Sequence, residues 1–145
     1  MTETSFYVLS TSQPRERYIV ACKVAEKAYK LGERVFILTS SAEEAQAVDN
    51  LLWSFRQGSF IPHEILDNTG HQTTQALPNT VLIGISPVTT DATVLINLGA
   101  ELPDNIERFQ RIAEIINQDA QVKQAGRQRY KAYQSKKITL KTHEL

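Results

Sequence analysis

A second cysteine is missing. With Cys22 alone the chain cannot close an internal disulfide, and one cysteine with three scattered histidines (His63, His71 and His143) makes no zinc site at any recognised spacing. Cys22 sits among Ala21, Val24 and Ala25 and reads as a buried structural thiol rather than a nucleophile. Long apolar runs are missing too: none approaches the roughly eighteen residues needed to cross a bilayer. Met1-Thr2-Glu3-Thr4-Ser5 lacks the basic stretch that opens a signal peptide. These absences set the expectation of a cytoplasmic protein with no membrane partner. Apolar residues at 41% and charged residues at 22% argue against disorder, and 145 residues are enough for one domain with its own core, spanning 1–145.

The formal net charge is zero, but it is divided. Residues 1–120 hold nine Lys/Arg against fifteen Asp/Glu, a balance of −6, and residues 121–145 hold seven against one, a balance of +6. Between 121 and 141 there are Lys123, Arg127, Arg129, Lys131, Lys136, Lys137 and Lys141 and no acid. A local basic site on an acidic body steers anions to one place and repels them elsewhere, which suits a short acidic peptide better than a long uniform polyanion. At helical spacing Lys123, Arg127, Tyr130 and Gln134 share one face, two cations beside an aromatic wall. The plainer reading is a solvated basic helix.

In chain order, Phe6-Tyr7-Val8-Leu9 within 5–10 predicts a buried strand. Thr11-Ser12-Gln13-Pro14 opens a helix that Ser12 can cap, with Pro14 in the first turn and Glu16 at the positive end. Tyr18, Ala21, Cys22, Ala25, Ala28 and Tyr29 form its apolar stripe, and Gly32 ends it. Val35-Phe36-Ile37-Leu38 predicts a second strand. Ser40 with Glu43, or equally Ser41 with Glu44, offers a capping box for a helix to about Leu52. This βαβα start predicts a parallel sheet with right-handed crossovers. Trp53, Phe55 and Phe60 crowd a segment broken at Gly58 and Pro62, either capping one end of the sheet or forming a contact surface. Residues 67–79 are polar and turn-like, an expected exposed loop. Strands are expected at 81–85 and 94–98. The pattern of 106–116 fits helix or strand, with helix favoured. Asp119 can cap a basic helix to about Gln134, and Ile138-Thr139-Leu140 can form a short extended edge.

Chemistry is hard to find. A dinucleotide site needs glycines in the first βα turn so that the backbone can approach a pyrophosphate, and Thr11-Ser12-Gln13-Pro14 has none. Nor do any of the six glycines sit in a phosphate-binding loop. His63 beside Glu64 has no candidate nucleophile near it in sequence and reads as a loop histidine. The expectation is a binding module with no catalytic residues, no metal and no cofactor.

Three segments carry a resemblance. Ser5-Phe6-Tyr7-Val8-Leu9, then Leu52-Trp53 with Ser59-Phe60-Ile61-Pro62-His63, and finally Arg127-Gln128-Arg129-Tyr130-Lys131-Ala132-Tyr133 recur in this order in the chi subunit family of bacterial DNA polymerase III. Taken together, Trp-x6-Phe-x-Pro-His and Arg-x-Arg-Tyr-Lys-Ala-Tyr are specific, and the chain resembles that family over essentially its whole length. The resemblance implies a three-layer α/β domain with a mainly parallel central sheet, Rossmann-like without a nucleotide-binding loop, in which 109–116 is a strand leading into the basic helix. It also implies a non-catalytic replication adaptor that joins the clamp loader, through the psi subunit, to single-stranded DNA-binding protein (SSB). By similarity, Ile116, Lys123, Arg127 and Tyr130 form the site for the acidic SSB C-terminal tail, with Arg129 and Lys131 as electrostatic neighbours. Trp53, Phe60, Pro62 and His63 match the surface that meets psi or a competing repair helicase. DNA is then reached mostly through SSB. The rival expectation is a direct single-stranded nucleic-acid binder that stacks bases on Tyr130 and Tyr133.

Overall fold

The computed structural model describes residues 2–55, 60–66, 80–85, 91–101 and 106–145. Among these residues seven strands form one sheet: β1 (Glu3–Val8), β2 (Val35–Leu38), β3 (His63–Ile65), β4 (Val81–Gly84), β5 (Val94–Asn97), β6 (Arg111–Ile116) and β7 (Thr139–Glu144). Their order is β3-β4-β2-β5-β6-β1-β7, and every pairing is parallel. Parallel strands need crossovers, and among the described residues three helices supply three of the six: α1 (Pro14–Lys30), α2 (Ala42–Ser54) and α3 (Ala120–Ser135).

A sheet covered on both faces buries consecutive residues rather than alternate ones, and all four residues of β2 and of β5 are buried. Val35 and Ile37 pack with α1 and α2 through Ala21, Cys22, Ala25, Val48 and Leu52. Phe36 and Leu38 point the other way, into a core with Phe6, Ile106, Phe109, Ile112 and Tyr133. The three layers are therefore α1 and α2, the sheet, and α3 with a short 3-10 turn at Ile106–Arg108.

Local signals explain the helix ends. Ser41 caps α2, its side chain accepting from Glu44 N at 3.1 Å. Glu44 reaches back to Ser40 N at 2.9 Å, so of the two candidate boxes the second is the one used. Asp119 Oδ1 accepts from Gln121 N at 3.0 Å and Val122 N at 3.1 Å, capping α3. Gly32 follows α1 at φ 80°, a conformation that costs glycine little.

Three sequence expectations are corrected. Gln13, not Ser12, precedes α1 and makes no side-chain cap. Pro14 opens the helix without needing an amide partner, so the cap is dispensable there. Residues 111–116 are a strand, as the resemblance implies, and not the helix that the pattern alone favours, because they lie in the middle of the sheet between β5 and β1. His63 begins a short edge strand instead of lying in a loop. The expected breaker Gly58 and the expected loop at 67–79 lie outside the described residues.

In open α/β sheets ligands enter the crevice where neighbouring strands send their connections to opposite faces. One such pair here is β1, which leads to α1, and β6, which leads to α3. Side chains and backbone bridge that crevice: Gln118 N donates to Thr11 O at 2.8 Å, and Gln118 Nε2 to Leu9 O at 2.7 Å.

Candidate functional site

The β6-to-α3 connection builds the first candidate site. Ile116 ends β6, Asn117 Oδ1 accepts from Asp119 N at 3.1 Å, and the capped helix returns across β6 and β1. Tyr130 meets Phe6 edge-on with ring centroids 5.2 Å apart, and Tyr133 meets the same ring at 5.9 Å. Those contacts fix the rotation of α3. Its buried face runs through Gly126, Arg129 and Tyr133, and the flank above it carries Lys123, Arg127 and Tyr130.

Between that flank and the sheet lies a groove of about 270 Å³, lined by Ile116, Lys123, Gly126, Arg127 and Tyr130, with Phe6, Val8, Gln118 and Thr142 from the sheet side. Four residues expected to share a site, Ile116, Lys123, Arg127 and Tyr130, are thus brought together. The groove has an apolar floor and two cations one helical turn apart on its rim. Among the described residues neither Lys123 nor Arg127 has an ion-pair partner. An anionic chain end with a large apolar side chain matches these features.

Two expected neighbours do not join them. Lys131 is exposed and does not line the groove. Arg129 is buried, its side chain 4% exposed, and lies 2.9 Å from Glu114 through Nη2. Its Nε donates to Glu114 at 3.0 Å and its Nη1 to Ala100 O at 2.7 Å. Glu114 is fully buried in β6 and also accepts from Asn97 Nδ2 at 3.0 Å and Tyr133 Oη at 2.7 Å. Burial, then the Glu114 charge and that hydrogen bond, push the Tyr133 hydroxyl far above its ordinary pKa. Arg129 is therefore a structural cation whose charge is already spent. The reason lies in the helix wheel: residue 129 falls on the inward face with 126 and 133.

Arg17 is a second buried cation, one the sequence did not single out. Its Nε donates to Ile115 O at 2.6 Å and its Nη2 to Leu98 O at 3.1 Å, tying α1 to the ends of β6 and β5. Burial lowers its pKa, and the charge of Glu44 opposes that. Nothing in the spacing around residue 17 marks it, because its partners are carbonyls about 80 and 100 residues away.

A second candidate surface lies at the other edge of the sheet. Trp53, at the end of α2, is 58% exposed and Phe60 65%, with ring centroids 5.5 Å apart. His63 sits edge-on beneath Trp53 at 4.7 Å. Its side chain is almost wholly buried, with Nδ1 2.7 Å from Ile61 O and Nε2 3.2 Å from Asp49 Oδ1. Pro62 is half-buried in the same segment. Trp53 and Phe60 present the surface, while His63 supports it from below. Five strand spacings separate β3 from β1, about 24 Å at the usual interstrand distance, so the two surfaces are distinct.

Among the described residues no three His, Cys, Asp or Glu side chains cluster as metal ligands, and no helix is long and apolar enough to cross a membrane. Comparison with known proteins gives one consistent result. Residues 1–141 match the family model described as DNA polymerase III chi subunit, HolC. A DNA polymerase III subunit chi from Pseudomonas aeruginosa is 32% identical over 146 residues, covering 100% of this chain and 98% of that protein. Proteins of the same description from Haemophilus influenzae and Escherichia coli are 28% identical over 126 residues and 25% over 123. These two alignments cover 87% and 85% of this chain, and 85% and 82% of the respective relatives.

Proposed function

The chain belongs to the DNA polymerase III chi subunit family, and from that membership we propose that it is a non-catalytic adaptor of the replication machinery in the cytoplasm. In this reading it holds the acidic C-terminal tail of SSB in the groove beside α3. It holds the psi subunit of the clamp loader, or a repair helicase competing for the same place, on the Trp53–Phe60 surface. The observation that carries the reading is the meeting, in one groove of about 270 Å³, of two apolar walls and two cations that have no ion-pair partner among the described residues.

The tail's chemistry fits each part of that groove. It ends in an apolar residue bearing a free carboxylate, preceded by aspartates. Arg127 is the fork for the terminal carboxylate, Lys123 attracts the aspartates one turn away, and Ile116 and Tyr130 receive the apolar side chain. The energies limit the affinity. A micromolar complex needs about −8 kcal/mol. Burying one ring contributes roughly 2–3 kcal/mol and each charge-assisted contact about 1.5–3 kcal/mol, against the cost of ordering the tail. Binding should be weak and sensitive to salt.

Co-sedimentation tests the adaptor role with whole components. Wild-type chain should travel with SSB-coated single-stranded DNA, and with neither the bare DNA nor SSB lacking its tail. Travel with bare DNA at physiological salt would favour direct nucleic-acid binding instead.

A further inference from the structure

We propose that the channel between α1 and the β1/β7 pair seats an amphipathic helix of another protein, about three turns long, with acidic residues along one flank. The channel lies on the α1 face of the sheet, opposite the groove beside α3, and the inference does not depend on what that groove binds.

The first observation is that α1 has two apolar stripes. Ala21, Cys22, Ala25 and Ala28 are buried in the core. A second set, Ile19, Val20 and Val24, bordered by Glu16, Lys23 and Lys27, recurs at helical spacing and lines a cavity of about 580 Å³. A helix with one apolar stripe needs one partner. This one has a second stripe that is only partly covered: Ile19, Val20 and Val24 pack against the edge of the core and stay half-buried.

The second observation is a missing part of a layer. Parallel sheets are covered on both faces, but on this side α1 packs over β2, β5 and β6. No helix among the described residues covers β1 and β7 there. Tyr7 of β1 is left half-buried, with the His143 ring of β7 stacked beside it at 5.1 Å. A smaller hollow shares Tyr7, Val24 and Lys27 and extends the channel toward Leu31, which is 62% exposed. The uncovered width is two strands, about 10 Å, which is one helix diameter. The run from residue 16 to 27 spans about 17 Å, which sets the length of the guest.

The third observation fixes its charge. Lys23 and Lys27 stand one turn apart on the rim, exposed, with no ion-pair partner among the described residues. On the opposite rim Lys141 is already paired with Glu3 at 3.0 Å. Of the charges on this rim, Lys23 and Lys27 repeat at i, i+4 while Glu16 stands about two turns before Lys23, so the guest carries carboxylates at the i, i+4 spacing opposite the two lysines and none opposite Glu16. A second copy of this chain fits worse. Its exposed helix flank on α3 is basic, and the apolar residues of α2 are used in its own core.

The test uses two helical peptides of about four turns, each with a leucine stripe. One has glutamates at i, i+4 on its flank and the other lysines. Amide chemical-shift mapping on the full chain should place the glutamate peptide on α1, β1 and β7, at least tenfold tighter than the lysine peptide. Lys23→Glu with Lys27→Glu, both at exposed positions, should reverse that preference with the fold unchanged, while Arg127→Ala should leave it as it was. Equal binding of the two peptides, or shifts confined to α3 or to Trp53 and Phe60, would overturn the proposal. So would a chain that dimerises through this face.

Discussion

A methyl group on residue 126 would lie 2.7 Å from Ile116 Cδ1. Gly126 therefore lets α3 settle onto the end of β6 and leaves the groove floor open between Lys123, Arg127 and Ile116. Gly126→Ala gains helix propensity of about 1 kcal/mol and spends it moving the terminal methyl of Ile116 aside. We expect stability within about 1 kcal/mol of wild type and a several-fold loss of tail-peptide affinity, checked by chemical denaturation beside peptide titration. Unchanged affinity would mean that the floor is not part of the site.

Two arginines two residues apart should behave in opposite ways. Arg129→Ala strands the fully buried Glu114 without its cation, at a cost of about 3–5 kcal/mol, visible as a large drop in thermal midpoint. Arg127→Ala removes an exposed cation that has no ion-pair partner among the described residues. Its stability should stay within about 0.5 kcal/mol of wild type while peptide binding is lost.

Lys137 leaves α3 at φ 59°, the place glycine usually takes at a helix end. The turn is still bonded, with Ile138 N donating to Tyr133 O at 3.1 Å. Lys137→Gly should stabilise the chain by roughly 1 kcal/mol through relief of left-handed strain. A lower denaturation midpoint in that variant would contradict this.

Stability should fall in alkali, and the sign follows from burial. Cys22 is wholly buried, and burial pushes its thiol from 9.0 to about 12. A group whose folded pKa is raised gives stability that is complete below the unfolded value and lost as pH climbs through the folded one. Between pH 9 and 12 wild type should therefore lose about 1.4 kcal/mol per pH unit more than Cys22→Ala. Tyr18, raised from 10.0 to about 12 by burial and then by its bond to Glu44, acts in the same direction in both proteins. Urea midpoints at several pH values separate the two.

The elements that sequence revealed best were those with local causes. The stripe of α1 repeats along a single helix, and the Ser41–Glu44 box, Gly32 and Asp119 each act within about one helical turn; each is used. What the local pattern hid was long-range. Residues 111–116 have apolar residues on both sides because neighbouring strands and layers bury both, which erases the alternation that marks a strand. Glu114 lies within that run as the buried partner of Arg129 and Tyr133. Arg129 shared the charge of the basic helix but not its outward face. His63 looked like a loop residue because β3 is three residues long and is held as strand only by pairing with β4. The groove's far wall, Phe6, Val8 and Thr142, comes from β1 and β7, more than 100 residues apart in sequence, and no local pattern joins them.

The most direct test of the central claim is a titration of this chain with a fluorescent peptide copying the SSB tail. It would be run at low and high salt, with Arg127→Ala and Tyr130→Ala beside wild type and a bare oligonucleotide as competitor. The account predicts saturable binding that weakens with salt, is lost in both variants and is not displaced by the oligonucleotide. Folded wild-type protein that ignores the peptide, or binds it equally well without Arg127, would contradict it.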